Sequence, residues 1–110
     1  MPFFHFSQNN SGGVFVLTDT LTHHVVIEAD SAEGANAKLE SLGGYFNGCD
    51  AGLDCDCCGD RWYRTYNDEG DAEPMVYGEP VSSDLGIIGG LMPEGKNAVV
   101  HYADGRIEWH

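Results

Sequence analysis

The chain reads as one α+β domain: a small, mostly antiparallel sheet, one main helix over about residues 30–43, and a cysteine-rich loop resembling a zinc knuckle. Three observations predict it. Short β-branched and aromatic runs occur towards both ends, one apolar stripe at the helical period lies between them, and four cysteines fall between Cys49 and Cys58.

At 110 residues the length fits a single domain, 1–110. Hydrophobic residues make up 42%, and five Phe, five Tyr and two Trp supply the large apolar areas that a small core needs, so this is not a disordered acidic tail. The formal net charge is −13, which opposes direct binding to phosphate backbones because little could neutralise them. The imbalance is local: ten acids against Arg61 and Arg64 between Asp50 and Asp84, but Asp19 alone from Met1 to Ile27. Such a surface attracts basic partners and speeds their encounter, besides keeping the chain in solution. No run approaches the roughly 20 apolar residues of a membrane span, and Met1 to Ser11 lacks the basic start and apolar stretch of a signal peptide. The expectation is a cytosolic protein, where clustered cysteines are better read as metal ligands or a redox pair than as structural disulfides.

Phe3-Phe4-His5-Phe6 and Val14-Phe15-Val16-Leu17 are strand-like runs flanking the polar stretch Ser7 to Gly13, which predicts a hairpin with a long tip. Thr22 to Ala29 is β-branched and apolar, a strand placed centrally. Asp30-Ser31 then offers an N-cap with Glu33 in the first turn. Ala32, Ala35, Leu39 and Leu42 form one stripe at helical spacing, and Gly43-Gly44 terminates it. Arg61 to Tyr66 reads as an alternating aromatic strand, Asn67 to Pro74 as an acidic loop, and Met75-Val76-Tyr77 as a short strand that Pro80 confines to an edge. Ser82 to Lys96 is glycine-rich and irregular. Ala98 to Tyr102 and Arg106 to Trp109 flank Ala103-Asp104-Gly105, a hairpin signal.

Cys55-Asp56-Cys57-Cys58-Gly59 carries the chemistry. Two thiolates three residues apart can grip one ion, and the following Gly lets backbone N–H groups approach the sulfurs. A closed structural zinc site wants four ligands. Cys49, across the flexible Asp50-Ala51-Gly52, supplies a third, and a sheet histidine (His5, His23, His24 or His101) the fourth; His24 is chosen. The expected set is Cys49, Cys55, Cys58 and His24, with Cys57 a bystander because adjacent residues rarely both reach one ion. Asp54, Asp56 and Asp60 are expected to raise the thiol pKa values, which argues against a nucleophilic cysteine. In a strand, His23 and His24 point to opposite faces and cannot chelate one ion together. Gly90 to Asn97 resembles a phosphate-binding loop but ends in Asn where a hydroxyl belongs and precedes a strand-like run, so no nucleotide site is read there.

The runs Phe3 to Gly13 (FFHFSQNNSGG), His23 to Ser31 (HHVVIEADS) and Asp54 to Trp62 (DCDCCGDRW) resemble a family of small uncharacterised proteins encoded by tailed bacteriophages. The resemblance implies a phage origin and expression in the cytoplasm of an infected bacterium; it carries no activity. Asp56 stands where knuckles usually have proline. Two functions follow as expectations. One is an acidic interaction protein, not an enzyme, docking on a basic surface of a host protein, for instance over a nucleic-acid groove of a defence or transcription machine, with a structural zinc. The other is a metal-dependent enzyme or small-molecule binder using the cysteine site with an open coordination position.

Overall fold

The computed structural model describes residues 1–9, 11–13, 15–81 and 95–110. Val14, most of the glycine-rich stretch from Ser82 and the first part of the phosphate-loop-like run at Gly90 lie outside the described residues.

The sheet has four strands: β1 (Phe3–Ser7), β2 (His24–Glu28), β5 (Ala98–His101) and β6 (Ile107–Trp109), in the order β1-β2-β5-β6. Pairing is antiparallel for β1 with β2 and for β5 with β6, and parallel for β2 with β5. The run Val25-Val26-Ile27 is apolar without alternation because β2 is covered on both faces, and all three residues are 0% exposed. On one face Phe4, Phe6, Val25, Ile27 and Val99 pack with Ala32, Ala35, Leu39 and Trp62. On the other, Phe3, Val26, Ala98 and Val100 pack with Val76 and Val81. The second cover is a two-stranded hairpin, β3 (Met75–Val76) with β4 (Glu79–Pro80).

The helix α1 spans Ala32–Ser41, inside the predicted 30–43. Its stripe is the expected one: Ala32, Ala35 and Leu39 are buried, and Leu42 packs against the same cluster. The N-cap is Ser31, whose Oγ accepts the Gly34 N–H at 3.1 Å. A second first-turn donor is satisfied from far away, since Ala32 N donates to Asp68 Oδ1 at 2.8 Å.

Two predicted strands do not form. β1 pairs with β2 rather than with the run after Gly13, and residues 15–18 carry no strand. The Gln8 carboxamide takes the place of a partner strand there, donating to Val16 O at 3.0 Å and accepting from Val16 N. Residues 62–66 carry no strand ladder, and the buried Asn36 side chain on α1 engages the Thr65 backbone instead. Its Nδ2 donates to Thr65 O at 2.8 Å and its Oδ1 accepts from Thr65 N at 2.9 Å. Met75-Val76 and the hairpin around Asp104-Gly105 form as predicted.

Candidate functional site

The cysteine loop is built on one buried arginine. Trp62 is 1% exposed in the core below α1, and this anchors Arg61 beside it, itself buried. Arg61 Nη1 donates to Gln8 Oε1 at 3.1 Å, Nη2 to Ser11 O at 2.8 Å and Nε to Tyr45 Oη at 3.2 Å. Its counter-charge is the fully buried Asp54 carboxylate, 3.8 Å from Nε. That carboxylate also accepts Arg61 N at 2.8 Å and Tyr45 Oη–H at 2.6 Å. Such a charge needs its donors, because an unpaired buried ion costs several kcal/mol. The loop therefore closes over Asp54, and Gly48 is required beneath it: a Cβ there would lie 1.9 Å from Asp54 Oδ2.

On this base sit the four free cysteines. Cys49 N donates to Asp60 Oδ1 at 2.9 Å, and Cys55 N to Ser11 Oγ at 3.0 Å. Cys58 N and Gly59 N both donate to Cys55 O at 3.1 Å, so Cys55 to Cys58 is a closed turn, and Gly59 follows it at φ +86°. Asn9 clamps the far side, its Nδ2 donating to Cys58 O at 2.6 Å. Cys57 and Cys58 are exposed, Cys49 and Cys55 half-buried.

The thiols differ in acidity. Burial and the adjacent Asp60 carboxylate push the Cys49 thiol up to about 11, with Asp56 and Asp54 adding charge repulsion. Cys55 goes the other way: the Cys58 thiol and the backbone N–H groups of Cys58 and Cys57 hydrogen-bond its sulfur and lower its pKa. Cys57 is raised by its hydrogen bond to Cys55 and by the neighbouring sulfurs. The expected uniform upward push from the aspartates thus holds at Cys49 and is overridden at Cys55 by direct hydrogen bonds.

His24 is not brought to the cysteines. It is 0% exposed and shares a face of the sheet with Val26, under the β3–β4 hairpin. Its Nδ1 lies 2.9 Å from His5 Nε2, and Tyr77 stands edge-on to both rings. Tyr77 sits at the hairpin tip with φ +50° and is held by a 2.7 Å hydrogen bond between its hydroxyl and Ser7 Oγ. His23 precedes β2, so strand alternation does not separate it from His24; the two rings stack at 4.0 Å and 22° rather than facing opposite ways. Burial, followed by its neighbours' charge, lowers His24 to about 3 and His5 to about 4, and burial lowers His23. His101 Nε2 meets Thr20 O at 2.7 Å. Among the described residues no group of three or more His, Cys, Asp or Glu side chains is arranged to hold a metal ion.

A cleft of about 450 Å³ runs along α1, lined by Glu33, Asn36, Glu40, Arg64, Tyr66 and Asp68 among others. Glu33 and Glu40 are on the exposed side of α1, and Tyr66 is 83% exposed. The cleft's cation, Arg64, lies over the Phe46 ring at 4.4 Å. Among the described residues no helix is long and apolar enough to cross a membrane. Neither this cleft nor the Gln8–Asp54–Arg61 network had a local sequence signal; the one hint was Arg61, a cation between Asp60 and the core Trp62.

The site and fold define a small α+β domain with an acidic cleft and a braced, thiol-bearing loop. The chain belongs to the family described as a domain of unknown function, DUF7296, whose model matches residues 1–110. No curated protein and no solved structure matches it.

Proposed function

We propose that this chain is an acidic interaction protein that receives a basic segment of a partner protein in the cleft along α1. One observation carries the reading: Glu33, Glu40 and Asp68 converge on a single cleft beside the exposed Tyr66, with the cleft's arginine drawn over Phe46. Carboxylates from two segments, with an aromatic ring beside them, suit lysine and arginine side chains, and the net charge of −13 steers such a partner in. The motif resemblance to phage-encoded proteins makes the partner a host protein in the cytoplasm of the infected bacterium, with a nucleic-acid-binding or defence protein as the natural target. The same reading keeps a structural zinc on Cys49, Cys55 and Cys58 as a brace for the loop. The fourth ligand then comes from the loop, since His24 is engaged by His5.

The test is capture by the tagged full-length chain from a bacterial lysate at low ionic strength, followed by rebinding of the purified captured protein. Binding should fall by about tenfold or more as salt screens the contact, and the pair Glu33→Gln and Glu40→Gln should weaken it further. A captured protein that binds with unchanged affinity in high salt, or to the double variant, removes the cleft from the contact.

A further inference from the structure

The four thiols are not equivalent in position, and the difference singles out one pair. A hydrogen-bonded four-residue turn brings its end Cα atoms within about 7 Å, which overlaps the roughly 4.4–6.8 Å that a disulfide requires. Cys55 and Cys58 are the ends of such a turn, closed by Cys58 N on Cys55 O at 3.1 Å. The adjacent Cys57 and Cys58 are only about 3.8 Å apart at Cα, below that range. The Cys49 thiol is directed elsewhere, donating to Cys55 O at 3.5 Å. Cys58 is exposed, so a small reagent can reach the pair without opening the core. The scaffold beneath is fixed by Asn9, Ser11 and Asp60, so closing the bond requires no rearrangement of the sheet.

We infer that Cys55 and Cys58 form a reversible intramolecular disulfide by exchange with a low-molecular-weight disulfide of the glutathione class. One cysteine attacks as its thiolate, giving up its proton to solvent, and forms a mixed disulfide with one half of the reagent while the other half leaves as a thiolate. The second cysteine then loses its proton, attacks the protein-bound sulfur and expels the remaining half. Two protein thiols are oxidised, the reagent is reduced to two thiols, and the two protons end on the released thiolates. The inference does not rest on the cleft. It concerns the metal-free loop, because an ion on these sulfurs would mask them.

The experiment equilibrates the full-length chain with oxidised and reduced glutathione in the presence of a chelator, then counts thiols and measures intact mass. The expected result is loss of two of the four thiols with a mass lower by two hydrogens and no glutathione attached. Cleavage before Asp56 separates Cys55 from Cys57-Cys58, so the two fragments should remain joined until reduced. Cys57→Ser should oxidise like the native chain, and Cys58→Ser should stop at a glutathione adduct. Retention of all four thiols in a glutathione-disulfide excess, or internal closure that persists in Cys58→Ser, overturns the pairing. Zinc found in protein prepared without chelator bears on the zinc reading alone, so the two fail separately.

Discussion

Lowering the pH from 7 to 5 should strip a large part of the protein's stability, and the histidines under the β3–β4 hairpin set how much. In the unfolded chain a histidine binds its proton near 6.5; in the fold, burial followed by charge repulsion between the rings holds His5 at about 4 and His24 at about 3. Both folded values are lower, so below pH 6.5 the unfolded state binds more protons and stability falls with falling pH, until the folded values are passed. At pH 5 both rings are neutral in the fold and almost fully protonated in the unfolded chain. Each then costs about 1.9 kcal/mol relative to pH 7, together about 4 kcal/mol, against the roughly 5–15 kcal/mol of a typical domain. Acidification also relieves the repulsion of a net charge of −13, which works in the opposite direction. The assay is the urea midpoint at pH 7, 6 and 5. Expected is a marked fall, with His5→Gln, which preserves a partner for His24 Nδ1, losing about half of the pH dependence. A midpoint that is flat from pH 7 to 5 would refute the placement of neutral, buried imidazoles.

Three other outcomes follow from the described contacts. Asp54→Ala removes the buried carboxylate that accepts from Arg61 N and Tyr45 Oη and faces Arg61 Nε, and should cost about 3–5 kcal/mol, with hydrogen-exchange protection lost first around residues 48–61. Ser31→Ala should cost about 1 kcal/mol in chemical denaturation while Asp30→Ala changes little, because Ser31 caps α1 and Asp30 is exposed; equal losses would move the cap. On the zinc reading, elemental analysis of chelator-free protein should find about one zinc per chain, and metal removal should loosen the cysteine loop before β2 and α1; protein without zinc, its thiols all titratable, ends that reading.

The parts of this fold that were legible in the sequence are those whose causes are local. The α1 stripe, the unalternating Val25-Val26-Ile27 and the Asp104-Gly105 turn each carry their own periodicity or turn chemistry, and each forms where that signal lies. The two predicted strands that do not form share a different cause: a side chain stands in for a strand. Gln8 engages the Val16 backbone and Asn36 that of Thr65, and no spacing rule announces a carboxamide that will serve as a ladder partner. The candidate site was legible as a cluster of sulfurs, because their crowding is written in the chain. Its support was not, since Asp54 and Arg61 acquire meaning only when Gln8 and Ser11 arrive from some 50 residues away. The contact of His24 is hidden from the sequence for the same reason: its partner His5 is a neighbour across the sheet, not along the chain.

The parallel pairing of β2 with β5 also constrains the order in which this protein can be made. His24 to Ile27 find their partners only at Ala98 to His101. While the ribosome is still adding the intervening stretch, β1 and β2 can meet, but one side of β2 presents its amide and carbonyl groups without a neighbour, on a strand of Val and Ile. An apolar strand with an open edge invites pairing with other nascent chains. The interval between emergence of β2 and of β5 is therefore the period in which slow translation or dense expression should divert the chain to aggregates. A short distance in space between two strands becomes, for the growing polypeptide, a long wait.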